Sequence, residues 1–147
     1  MSDNPFVWPV RVYYEDTDAG GVVYHSVYLN YMERCRTEWL RSFGVGQEAL
    51  VRDAGILFAV AKIDISFLGP ARLDDQLTVY AQVQKIGQAS VALMQGVIRD
   101  HDRKELVRAQ VKIGCIDREF KPTRMPEALQ HLMAGGASPP QHPPADE

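Results

Sequence analysis

The sequence of 147 residues predicts an α+β domain, a five-stranded antiparallel sheet wrapped around one long helix. Three observations predict it. Apolar residues alternate with period two in several separate stretches, the mark of strands with one buried face. One stretch, Val27 to Phe43, changes to a helical period. Short turns join the later strands, which favours antiparallel neighbours. A helix with a strongly apolar stripe needs a sheet to cover it, and wrapping is the simplest solution.

The first strand runs from Phe6 to Tyr14, with Phe6, Trp8, Val10, Val12 and Tyr14 on one face. Pro9 within it favours a sheet edge, because proline cannot donate to a ladder. Glu15 to Ser26 then breaks all periodicity and, rich in Asp and Gly, reads as a loop. In the helix, Tyr28, Tyr31, Met32, Cys35, Trp39 and Phe43 form one stripe, with Ser26 as the expected N-cap and Gly44 as the stop. Gln47 to Asp53 can add a shorter helix.

Sheet follows from Ala54. Leu57, Ala59, Ala61, Ile63, Ile65 and Phe67 alternate with polar residues up to a Gly69-Pro70 break. Leu77, Val79, Ala81 and Val83 form the next strand face. Val91 to Ile98 is apolar on both faces and fits a central strand. After a polar turn at Asp100 to Lys104, Val107, Ala109, Val111, Ile113 and Cys115 alternate in the last strand. Residues 1–128 form the expected domain. Residues 129–147 are read as a short peripheral segment, with a helix over Glu127 to Ala134, and a Pro-rich disordered tail.

Composition narrows the class. An apolar fraction of 46% and a charged fraction of 24% are those of an ordinary globular domain. The net charge of -3 gives no general electrostatic reason to bind nucleic acid or an anionic membrane. No apolar run has the length to cross a bilayer, and no signal peptide is visible. Cys35 and Cys115 lack metal-ligand spacing and fall on apolar faces, so both are read as buried free thiols in a reducing, cytoplasmic setting.

The chemistry points to the loop before the helix. The run Tyr14-Glu15-Asp16-Thr17-Asp18-Ala19-Gly20-Gly21-Val22-Val23-Tyr24-His25-Ser26 delivers a carboxylate and then, seven residues on, the exposed backbone N–H groups of a helix N-terminus. The first N–H groups of a helix have no intrahelical partner and sit at the positive end of its dipole. They can hold an oxygen that becomes negative during reaction. A carboxylate ionised at neutral pH can activate water or attack an activated carbonyl, and a thioester is activated enough for either route. No serine-histidine-acid set is evident. Taken alone, an Asp in a Gly-rich loop is more often a turn residue, His25 more often a capping or surface histidine, and Tyr14, Tyr28 and Tyr31 more often core packing. The carboxylates lack the remaining ligands of an EF-hand loop, so calcium is not expected.

The stretch RVYYEDTDAGGVVYHSVYLNYMERCRTEWLR, with FLGPARLDD downstream, resembles the signature of the 4-hydroxybenzoyl-CoA thioesterase family. Within it the run is most similar to the bacterial Tol-Pal-associated acyl-CoA thioesterases. The similarity spans roughly residues 6 to 128. It implies a hotdog fold, an acyl-CoA substrate, no metal or bound cofactor, and a homodimer or homotetramer. It places the catalytic carboxylate on Asp18 and the carbonyl-polarising backbone N–H on His25. Tyr14 and the His25 side chain belong to the same motif, and Gly21, Val23 and Tyr24 are the substrate-binding positions it suggests. Two other readings stand beside it. A hotdog hydratase or dehydratase would use Asp18 with His25, and a non-catalytic module would dock acyl carrier protein or envelope machinery.

Overall fold

The computed structural model describes residues 4–135. Five strands form one antiparallel sheet: β1 (Phe6–Arg11), β2 (Ile56–Phe67), β3 (Gln76–Ile86), β4 (Ser90–Arg99) and β5 (Lys104–Asp117), in the order β1-β3-β4-β5-β2. Pro9 lies on an edge strand, opposite Thr78, where its missing N–H costs no ladder bond. β4, apolar on both faces, is the middle strand.

Helix α1 (His25–Arg41) has 17 residues. Tyr28, Tyr31, Met32, Cys35 and Trp39 are buried at the predicted helical spacing, with Leu40 added. They pack chiefly on β3, β1 and β4, against Val10, Leu77, Val79, Leu93 and Val97. The helix ends at Ser42, and Gly44 turns the chain away with φ +81°, a left-handed conformation that glycine adopts freely. The other helices are short. α2 (Gln47–Ala49) runs into a π-helical turn, Leu50–Ala54, and α3 (Glu127–Ala134) follows the last strand. Met125, Leu129 and Met133 are almost fully buried, so the residues around α3 contribute to the core.

Three local expectations are corrected. The first strand stops at Arg11, and Tyr14 opens a 3-10 turn (Tyr14–Asp16) with its side chain 81% exposed, not in the core. The helix starts one residue before Ser26, so Ser26 lies in its first turn and Tyr24 takes the N-cap position. In β2 a bulge at Ala61 changes the phase of the alternation. Beyond it Ile63 and Ile65, half-buried against the core, oppose Val111 and Ala109 as predicted, while Phe67, opposite Val107, is left 47% exposed. Before it Phe58 and Val60, not Leu57 and Ala59, lie opposite Cys115 and Ile113; Phe58 packs against the core and Val60 stays exposed. One extra residue turns every preceding side chain to the other face.

Candidate active site

The loop between β1 and α1 is a small hairpin. Thr17 bridges Val23, the Asp18 N–H donates to the Val22 carbonyl (2.9 Å), and the Tyr24 N–H donates to the Asp16 carbonyl (3.1 Å). The turn closes by a bond from the Gly21 N–H to the Asp18 carbonyl (3.0 Å), with Gly21 at φ +79°. A three-residue loop with glycine in the left-handed position is a favoured hairpin closure. The Asp18 carboxylate accepts the Gly20 N–H on Oδ1 (2.8 Å), the local turn bond that a short acidic side chain makes. That bond fixes the side chain on the exposed face of the loop.

The second arm of the hairpin leads straight into α1. No side chain caps the helix, and its first turn is closed by the Val27 N–H to the Tyr24 carbonyl (2.9 Å). The N–H groups of His25 and Ser26 therefore point out of the helix start without an intrahelical acceptor. The His25 ring lies 4.3 Å from the Tyr24 ring and meets Phe67 of β2 edge-on at 6.0 Å. Phe67 also lies 6.0 Å from the Tyr28 ring, so an aromatic wall runs from the helix start to the end of β2.

Bonds below the hairpin hold it in place. The Val23 N–H donates to the Ala71 carbonyl (2.9 Å), and Val22 bridges Arg72. The Ala71 N–H donates to the Tyr28 hydroxyl (2.9 Å). The Tyr31 hydroxyl donates to Asp16 Oδ2 (2.9 Å), which also accepts the Tyr13 N–H (2.9 Å). Burial raises the Tyr28 phenol above its ordinary value. Burial, and then the bond to Asp16, raise Tyr31 further. Both phenols are therefore neutral near pH 7 and act as fixed hydrogen-bonding groups. Burial likewise pushes up the Cys35 and Cys115 thiols, which suits packing residues rather than nucleophiles.

A family model described as the thioesterase superfamily matches residues 20–106, more than half of the chain. The chain belongs to the thioesterase superfamily. It is 42% identical over 137 residues to "Acyl-CoA thioesterase YbgC" of Haemophilus influenzae, covering 90% of this chain and 99% of that protein. It is 39% identical over 130 residues to "Acyl-CoA thioester hydrolase YbgC" of Escherichia coli O6:H1, covering 88% and 96%. A probable thioesterase from Bartonella henselae, known as a crystal structure, superposes with a TM-score of 0.78 at 34% identity, covering 84% of this chain and all of that one. The five-stranded antiparallel sheet with its helices is thus the hotdog fold of thioesterases.

In this thioesterase-superfamily chain the predicted site residues fall into two groups. Asp18, Gly21, Tyr24 and His25 all lie on the exposed side of the hairpin and helix start. Val23 does not: its side chain is 5% exposed in the core, and its N–H is already given to Ala71. The Tyr24 N–H is likewise given to Asp16. Tyr14 lies at the surface, its carbonyl accepting the Thr17 hydroxyl (2.7 Å). The sequence places Asp16 in this loop but not its bond to Tyr31, and it does not place Phe67 beside the helix start. Phe67 is 42 residues from His25, a pairing that only the sheet creates. Among the described residues no group of three His, Cys, Asp or Glu is placed to hold a metal ion.

A cavity of about 450 Å³ opens between α1 and the β2 end of the sheet. Asp18 is not among its lining residues. It begins at Leu29 and Asn30, one turn into α1, and runs past Phe58 and Ile113 to Met133. This size is in the range of pockets that take small molecules.

Proposed function

We propose that this chain hydrolyses acyl-CoA thioesters to the free acid and coenzyme A, with Asp18 as the carboxylate that acts on the thioester. The observation that carries the reading is the hairpin, which sets an exposed carboxylate on the arm paired with the residues that open α1. The thioester oxygen is bound at the His25 N–H, where the helix dipole favours the charge that develops on it. Asp18 then attacks the carbonyl carbon, forming an anhydride that water cleaves, or takes a proton from the attacking water. In either route the C–S bond breaks and the electron pair leaves on the coenzyme A sulfur. Gly21 lets the backbone come close to the substrate, and the Tyr24 and His25 rings offer it a flat apolar contact. Tyr14 and Val23 belong to the same run of sequence, Tyr14 at its surface and Val23 as its anchor in the core.

The acyl group runs from the helix start into the cavity beside α1. A second copy of the chain covers the opening, giving a homodimer or a homotetramer built from it. This assembly is supported by β2, an edge strand of 12 residues with Val60 45% and Phe67 47% exposed. We place the enzyme in the cytoplasm, on its two buried free cysteines. A link to the Tol-Pal machinery and a specific place in the 4-hydroxybenzoyl-CoA family rest on the motif resemblance.

The test is release of free thiol from short, long and aromatic acyl-CoAs by wild type and Asp18→Asn. Turnover that falls by about 10²-fold or more in a folded Asp18→Asn protein supports the reading. Turnover untouched by the substitution sinks the role of Asp18, and absence of turnover on every substrate sinks the hydrolase.

A further inference from the structure

We infer that Asp16 is a positioning residue of this site, its carboxylate fixing where Asp18 stands relative to the start of α1. The inference rests on the proposed role of Asp18. Asp16 joins three parts of the chain. Its Oδ2 accepts the Tyr13 N–H just after β1 and the hydroxyl of Tyr31, a fully buried residue two turns into α1. Its backbone carbonyl accepts the N–H of Tyr24, the residue before α1. Asp18 follows two residues later on the same hairpin arm, in register with Val22. The distance between the Asp18 carboxylate and the His25 N–H is therefore set by a post that stands on the helix itself. Tyr31 is suited to this task because burial and the bond to Asp16 keep it protonated, so it remains a donor.

Both side-chain bonds end on the same oxygen, and this gives the inference a sharp test. An asparagine with its oxygen in the Oδ2 place still accepts both bonds and loses only the charge. A catalytic carboxylate would not tolerate that change. Asp16→Asn is expected to keep kcat within about threefold of wild type, while Asp16→Ala and Tyr31→Phe lower kcat roughly tenfold or more with KM nearly unchanged, the pattern of a misplaced reacting group. Combining Asp16→Ala with Tyr31→Phe should cost no more than the worse single change, because one linkage is lost in each.

Amide hydrogen exchange supplies a readout that does not depend on turnover. Protection of the Tyr24 N–H should fall in Asp16→Ala and Tyr31→Phe and persist in Asp16→Asn. Unchanged protection and unchanged kcat in a folded Tyr31→Phe protein would overturn the inference. So would an Asp16→Asn protein as impaired as Asp16→Ala. Failure of the hydrolase reading would show separately, as inactive wild type or a fully active Asp18→Asn, with the exchange pattern still deciding the role of Asp16.

Discussion

Gly21 offers a clean separation of backbone strain from crowding. Its φ is +79°, and a Cβ added there would meet no atom within 4 Å. Gly21→Ala therefore creates no clash, and its whole cost is that of holding an L-residue in the left-handed region, about 1–2 kcal/mol. Part of this is offset, because alanine narrows the unfolded ensemble by about 0.4–1 kcal/mol. A net loss of about 1 kcal/mol remains, which for a domain of this size lowers Tm by roughly 2–4 °C. Gly21→Asn should lose less, since asparagine tolerates this region better than other residues with side chains. Gly20→Ala makes the complementary change. Gly20 has no positive φ, but its added Cβ would stand 3.3 Å from Asp18 Oδ1 and press on the carboxylate directly. Thermal melts and thiol-release kinetics on the same three proteins make the comparison. Gly20→Ala should lower kcat with Tm close to wild type, and Gly21→Ala should lower Tm. A Gly21→Ala protein with wild-type Tm, or Gly21→Asn as destabilised as Gly21→Ala, would refute the strain argument.

Two further outcomes are expected. Leu129→Ala, which empties a side chain only 3% exposed in α3, should cost about 2–5 kcal/mol in urea unfolding with little change in the slope; a cost under about 0.5 kcal/mol would mean that α3 is loosely docked. The Tyr80 phenol is pushed up to about 12 by burial and then by its hydrogen bond to Glu105. Its folded pKa lies above the unfolded value of 10.0, so its contribution is fully present below pH 10.0 and is lost as pH rises through about 12. Tyr80→Phe should accordingly flatten the alkaline loss of stability between those values, and an unchanged slope would count against the shift.

The local elements are legible in the chain. A helical stripe from Tyr28 to Trp39 and alternation in the strands are carried by near neighbours in the chain, so periodicity reveals them without knowledge of partners. The Asp- and Gly-rich loop is legible for the same reason: Gly21 and Asp18 form a turn from residues three apart. What depends on distant pairing is not legible in this way. The bulge at Ala61 follows from matching β2 to β5, and it puts Phe58 and Val60 opposite Cys115 and Ile113, where alternation alone puts Leu57 and Ala59. Tyr14 continues the strand pattern in sequence yet stands in solvent, because the Asp16 carboxylate takes the Tyr13 N–H and bends the chain into a 3-10 turn. Phe67 beside His25, Ala71 beneath Val23, and Tyr31 under Asp16 are each separated from their partners by between 15 and 48 residues. Such contacts leave no periodic trace in a chain, since they are set by how the sheet and helix pack and not by the local preference of either residue.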